Sequence, residues 1–177
     1  MSATRKTAWQ FDTPVPWADE VFRQILQFYL FECPTPGLSA RGRDFELFGW
    51  EGRGPLIALT KKLRQSASEN LVYKSCAKVE MAEAVSEVGI LEEVDLTAEY
   101  VVFYKHRDSE VHSLFGHIRN AFAHGSFFIG EHSNEAVYVL EDDYHGMTAR
   151  LILKASTLVS WAKIVRGTPE HLGDPAS

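Results

Sequence analysis

The chain has 177 residues, 45% of them apolar and 24% charged, with a formal net charge of −6. This length suits one domain, residues 1–177, around a single substantial core, and the composition excludes wholesale disorder. The acidic balance argues against a general nucleic-acid binder held by long-range attraction, and no apolar run approaches the ~18 residues of a membrane span.

The start, Met1–Lys6, leads into no apolar stretch, so no secretory signal is expected. Residues 1–15 read as a mobile tail. The first helix is expected over Trp17–Phe31, opened by Pro16, with Trp17, Val21, Ile25, Phe28 and Tyr29 as its core stripe. From Cys33 to Pro55 the chain is rich in Gly and Pro and reads as an irregular connection with a short helical turn near Phe45–Phe48. Connections this long in a compact domain are often functional. Between Arg41 and Arg64 stand Arg41, Arg43, Arg53, Lys61, Lys62 and Arg64, against Asp44, Glu46 and Glu51. Such a patch can guide a polyanion into a cleft, or it can simply be a solvated loop and helix face.

Leu56–Gln65 reads as a second helix. Asn70–Val88 reads as a third, with a strand open as an alternative at its start. Thr97–Tyr104 fits either a short buried helix or a strand, and helix is preferred. The next helix is sharply bounded: Asp108 or Ser109 can cap it, Glu110 suits its first turn, and Gly125 can end it. Phe127–Gly130 and Ala136–Glu141 form a hairpin, and Met147–Arg166 closes the fold as one long helix with Leu151, Ala155, Leu158, Ala162 and Val165 on one face. The tail 167–177, with Pro169, Gly173 and Pro175, is expected to be mobile. The expected fold class is therefore mainly all-α, an antiparallel helical bundle with one inserted hairpin. Cys33 and Cys76 are far apart without CxxC spacing and read as idle thiols in a reducing cytoplasm.

The helix over residues 109–124 carries the chemistry. At about 100° per residue, Val111, Leu114, Phe115, Ile118 and Phe122 share one sector, the core face. Ser113, His117, Asn120 and His124 lie opposite, with His112 and Arg119 on one flank. This polar side needs water or a second copy of the chain to satisfy it. Arg119 offers a fork of donors suited to phosphate oxygens, and histidine is the side-chain type that exchanges protons near neutrality. Asn120, one turn before His124, can orient the imidazole or bind a phosphate.

The string Ile118-Arg119-Asn120-Ala121-Phe122-Ala123-His124-Gly125 resembles the signature of HEPN-domain proteins, with Arg119, Asn120 and His124 matching the family's arginine, polar residue and histidine. The resemblance is specific over about Glu110–Arg166, including the hairpin and closing helix, and vague before it. It implies a HEPN-like bundle, a homodimer whose motif helices meet across a two-fold axis, and a metal-independent endoribonuclease of the toxin or antiphage-defence kind. Arg119, Asn120 and His124 would be catalytic. His117, Ser113, Arg41, Arg43 and Arg53 would extend the RNA-binding cleft. No cofactor or metal is expected, and the partners would be RNA, a second copy and an antitoxin or other regulatory protein. Ser126 stands where one branch of the family carries a modifiable tyrosine, which argues against that form of control.

Two other readings stay open. A zinc hydrolase would need ligands beyond His117 and His124, about 10 Å apart along a helix, and no HExxH or Cys-pair pattern supplies them. A non-catalytic HEPN module that binds a nucleotide or a partner protein agrees with the acidic balance.

Overall fold

Three of the segments expected to be helical contain strands, and this overturns the all-α bundle. The computed structural model describes residues 15–35, 43–107 and 109–167. Within these it is a mixed α/β fold with a five-stranded sheet, ordered β1-β2-β5-β4-β3. Its strands are β1 (Val72–Cys76), β2 (Tyr100–Tyr104), β3 (Phe127–His132), β4 (Glu135–Asp143) and β5 (Met147–Lys154). β1 and β2 run parallel, and every other neighbouring pair is antiparallel.

The helices are α1 (Glu20–Leu26), α2 (Arg53–Ser66), α3 (Met81–Glu87), α4 (Glu110–Ala123) and α5 (Ala155–Arg166). α1 starts later than expected, because Asp19 caps it by accepting the Phe22 amide at 2.9 Å. It widens into a π-helical turn at Gln27–Glu32 that brings Phe28 and Tyr29 side by side into the core. Trp17 and Val21, expected in the core stripe, are exposed instead. A 3-10 turn at Phe45–Phe48 sits inside the irregular connection, as expected.

Strand alternation divides the core into two layers. Val101, Phe103, Tyr138, Leu140, Ala149, Leu151 and Leu153 pack against α1, α2, α4 and α5. The intervening Val102, Val139 and Ile152 pack against α3 with Met81, Ala84 and Val85. A sheet buried on both faces shows no hydrophobic-in, polar-out rhythm in its sequence. This is why Thr97–Tyr104 passed for a helix and why β5 merged with α5. Tyr100–Tyr104 is β-branched and aromatic throughout, which suits a pleated, buried surface. β5 passes directly into α5, Lys154 being both the last strand residue and the helix N-cap, with no Gly or Pro to mark the change. In the expected third helix, only Met81–Glu87 is α-helical, and its start is strand β1.

Polar pins hold the layers in register. Two indole N–H groups reach carbonyls in the last turns of helices, where the helix's own amides run out. Trp50 Nε1 donates to Val165 O of α5, and Trp161 Nε1 to Leu63 O of α2, both at 2.9 Å. The buried Glu99 carboxylate accepts the backbone amides of Ser68 (2.8 Å) and Lys154 (2.9 Å), tying the end of α2 to the start of α5. Both cysteines are free thiols. No helix among the described residues is long and apolar enough to cross a membrane.

Candidate functional site

α4 lies between the helical layer and the sheet, so both of its faces are occupied. Val111, Leu114, Phe115, Ile118 and Phe122 are buried, as expected. The polar side also turns inward: Ser113 is fully buried and His117 is 3% exposed. The surface that was expected to need a second copy is covered over this stretch by the chain's own sheet. Ser113 Oγ accepts the Arg107 amide at 3.0 Å and bonds Ser109 O at 3.3 Å, so it closes the entry to α4 rather than lining a cleft.

At the centre is Asp142, which the sequence reading missed. β4 runs beyond Glu141, and the alternation that turns Tyr138 and Leu140 toward the helices turns Asp142 the same way. Extending the expected strand by one residue would have found it. His117 Nδ1 hydrogen-bonds Asp142 Oδ2 at 2.7 Å, and His117 Nε2 donates to Tyr104 O at 2.8 Å. Tyr104 O can only accept, so Nε2 carries a hydrogen, and Nδ1 is left facing the Asp142 carboxyl group. Burial pushes the Asp142 carboxyl up, but the hydrogen bonds from His117 and Asn120 outweigh it and hold it below its usual range. His106 packs edge-on against His117, with ring centres 4.9 Å apart. Desolvation, then the His117 charge, lowers its pKa.

The same Asp142 oxygen accepts Asn120 Nδ2 at 3.2 Å, and Asn120 Oδ1 faces Arg119 Nη1 at 3.5 Å. The carboxylate thus orients Asn120, and Asn120 steers the half-buried guanidinium beside it. Arg119 Nε is buried without a hydrogen-bond partner, and no carboxylate pairs with Arg119 among the described residues. Its charge is felt at Cys33: burial pushes that thiol well up, and Arg119 pulls the other way.

His124 is exposed at the C-terminal cap of α4. The helix ends there because Gly125 takes φ +67°, and the amides of Gly125 and Ser126 bond Phe122 O (3.2 Å) and Ala121 O (2.8 Å). These are the two bonds of a Schellman ending, which needs a left-handed residue at this position.

The sequence-expected site therefore divides. His117, Arg119 and Asn120 join one network, and His124 stands free at its outer end. Arg53 lies elsewhere, at the start of α2, on a groove of about 1400 Å³ beside the N-terminal end of α4. The Arg43 charge helps to lower the pKa of Glu32. Arg41 lies outside the described residues, as do most of the two expected tails. No three His, Cys, Asp or Glu side chains are grouped as a metal site would require among the described residues. No protein-family model, curated protein or solved structure matches the chain.

Proposed function

We propose that the chain is an endoribonuclease that needs no metal and acts at the C-terminal end of α4. The observation that carries this reading is the Arg119 guanidinium: half-buried, held by Asn120, paired with no carboxylate among the described residues, and about 1.4 helical turns before an exposed imidazole. A semi-desolvated guanidinium without a counter-charge suits a phosphodiester anion better than water.

In this reading Arg119 binds the non-bridging oxygens and stabilises the charge that grows on them. His124 takes the proton of the ribose 2′-hydroxyl, whose oxygen attacks the adjacent phosphorus in line. The bond to the 5′-oxygen breaks, and that oxygen is reprotonated from water. The products are a 2′,3′-cyclic phosphate and a 5′-hydroxyl. Asn120 is a positioning residue, fixed from behind by Asp142. The HEPN resemblance supplies the rest of the proposal: a cytoplasmic toxin or defence effector, restrained by a regulatory protein, with a second copy meeting this end of α4. Since Ser113 and His117 face inward, only the last turn of α4 remains for that contact.

Incubating the purified chain with single-stranded RNA in excess EDTA tests the chemistry. Cyclic-phosphate ends are expected, lost by about 10²-fold or more in His124→Ala and Arg119→Ala, with a DNA of the same sequence left intact. RNA that stays whole, or cleavage that survives both substitutions, refutes the proposal. One observation favours a non-catalytic RNA-binding module as the second reading: the large groove lies beside the other end of α4. Tight RNA binding without cleavage would select it.

A further inference from the structure

The groove of about 1400 Å³ runs between α2 and the segment joining β2 to α4. One wall is apolar, formed by Leu56, Ile57 and Leu71, and Ile57 is 61% exposed there. Arg53, Lys61, Arg64, Lys105 and Arg107 line it, together with Asp44, Glu46, Glu69 and Glu110. Cations outnumber carboxylates by one, and several of these groups are already engaged. Asp44 accepts the Phe45 amide at 2.6 Å and faces His112 Nε2 at 3.0 Å. Glu110 accepts Ser75 Oγ at 2.7 Å. Arg64 lies over the Tyr73 ring, and Arg107 Nε rests on His106. The side chains of Arg53, Lys61 and Lys105 have no hydrogen bond or ion pair among the described residues, and only Glu46 and Glu69 among the groove's acids are similarly unengaged. A part-apolar groove with one cation more than its carboxylates, on a chain of net charge −6, selects its ligand by local contact rather than by overall field.

We infer that this groove binds single-stranded nucleic acid, with bases against the Leu56–Ile57–Leu71 wall and phosphates on Arg53, Lys61 and Lys105. Only an unpaired strand presents base faces to an apolar wall while its backbone tracks a row of cations. That the strand is RNA rests on the ribonuclease reading; the binding itself does not. His106 links the two regions, since it lines the groove and packs on His117, which shares Asp142 with Asn120. The groove flanks the N-terminal end of the 14-residue α4, about 20 Å from His124. It therefore serves as a remote holding site for a strand whose scissile bond lies at the far end of the helix.

Fluorescence anisotropy on the full-length His124→Ala protein separates binding from chemistry. A labelled single-stranded RNA 12-mer is titrated alongside DNA of the same sequence and an RNA duplex. Lys61→Glu and Lys105→Glu are each expected to weaken single-strand binding by about fivefold or more and to flatten its salt dependence. Lys163→Glu, the same charge change on α5, should alter it by less than about twofold. RNA and DNA single strands should bind alike, and the duplex more weakly. No binding, equal losses in all three variants, or preference for the duplex overturns the inference. If binding follows this pattern while the wild type cleaves nothing, the groove stands and the nuclease reading alone fails.

Discussion

Asp142→Ala tests whether one carboxylate organises the motif. In the structure Asp142 Oδ2 accepts from His117 at 2.7 Å and from Asn120 at 3.2 Å, and Asp142 is only 6% exposed. Truncation removes a charge-assisted bond, about 1.5–3 kcal/mol, and leaves the half-buried Asn120 amide unpaired, about 1 kcal/mol more. The His117 ring also loses its hydrogen-bond partner inside the fold. The expected loss is thus about 3–5 kcal/mol, the range for breaking one side of a buried pair. Asp142→Asn keeps an acceptor of the same shape, so about 1–2 kcal/mol is expected from it. Urea denaturation at pH 7 measures both. The decisive experiment is the cycle with His117→Gln: the double variant should lose far less than the sum of the singles, by about 2 kcal/mol. Additive losses, or an Asp142→Ala loss under about 1 kcal/mol, would refute the argument. Acid supplies an independent readout. The folded carboxyl titrates below its usual 3.8, so its contribution is complete above that value and disappears as pH falls through the folded one. Wild type should show this loss below about pH 4, and Asp142→Asn should lack it.

Three further substitutions probe the surrounding structure. Gly125→Ala forces a side chain into φ +67° and should cost about 1–2 kcal/mol in thermal unfolding; an unchanged stability would show that the ending of α4 can relax. Trp50→Phe leaves the Val165 carbonyl without its indole donor and should cost about 1–3 kcal/mol, whereas a silent substitution would mean that water replaces the bond. His106 is held neutral first by burial and then by the neighbouring His117 charge, so its NMR titration midpoint should fall below 6.5. The stability this group contributes is full above 6.5 and lost as pH drops through the folded value, and the effect is small because the ring is exposed at its outer edge. A midpoint at or above 6.5 contradicts the packing against His117.

Local signals were enough for α4. The run of Val111, Leu114, Phe115, Ile118 and Phe122 marks its buried face, and Gly125 marks its end, because a left-handed residue must follow His124. The hairpin of β3 and β4 was legible from its turn: Ser133 and Asn134 take positive φ between two apolar runs. The sheet as a whole was not legible. β2 and β5 are covered on both faces, and a continuous apolar run has the same composition whether it coils or extends. Only the pairing of Tyr100–Phe103 with Ala149–Ile152, nearly fifty residues away, decides between them. The fate of the polar side of α4 was decided in the same way. Four residues spaced along a helix show that they share a side but not what faces it. The sheet brings Asp142 and Tyr104 O to His117, turning half of an expected dimer surface into a buried hydrogen-bonded pair and leaving Arg119, Asn120 and His124 at its rim. Sequence determines which side chains share a face; which face meets water depends on contacts between residues distant in the chain.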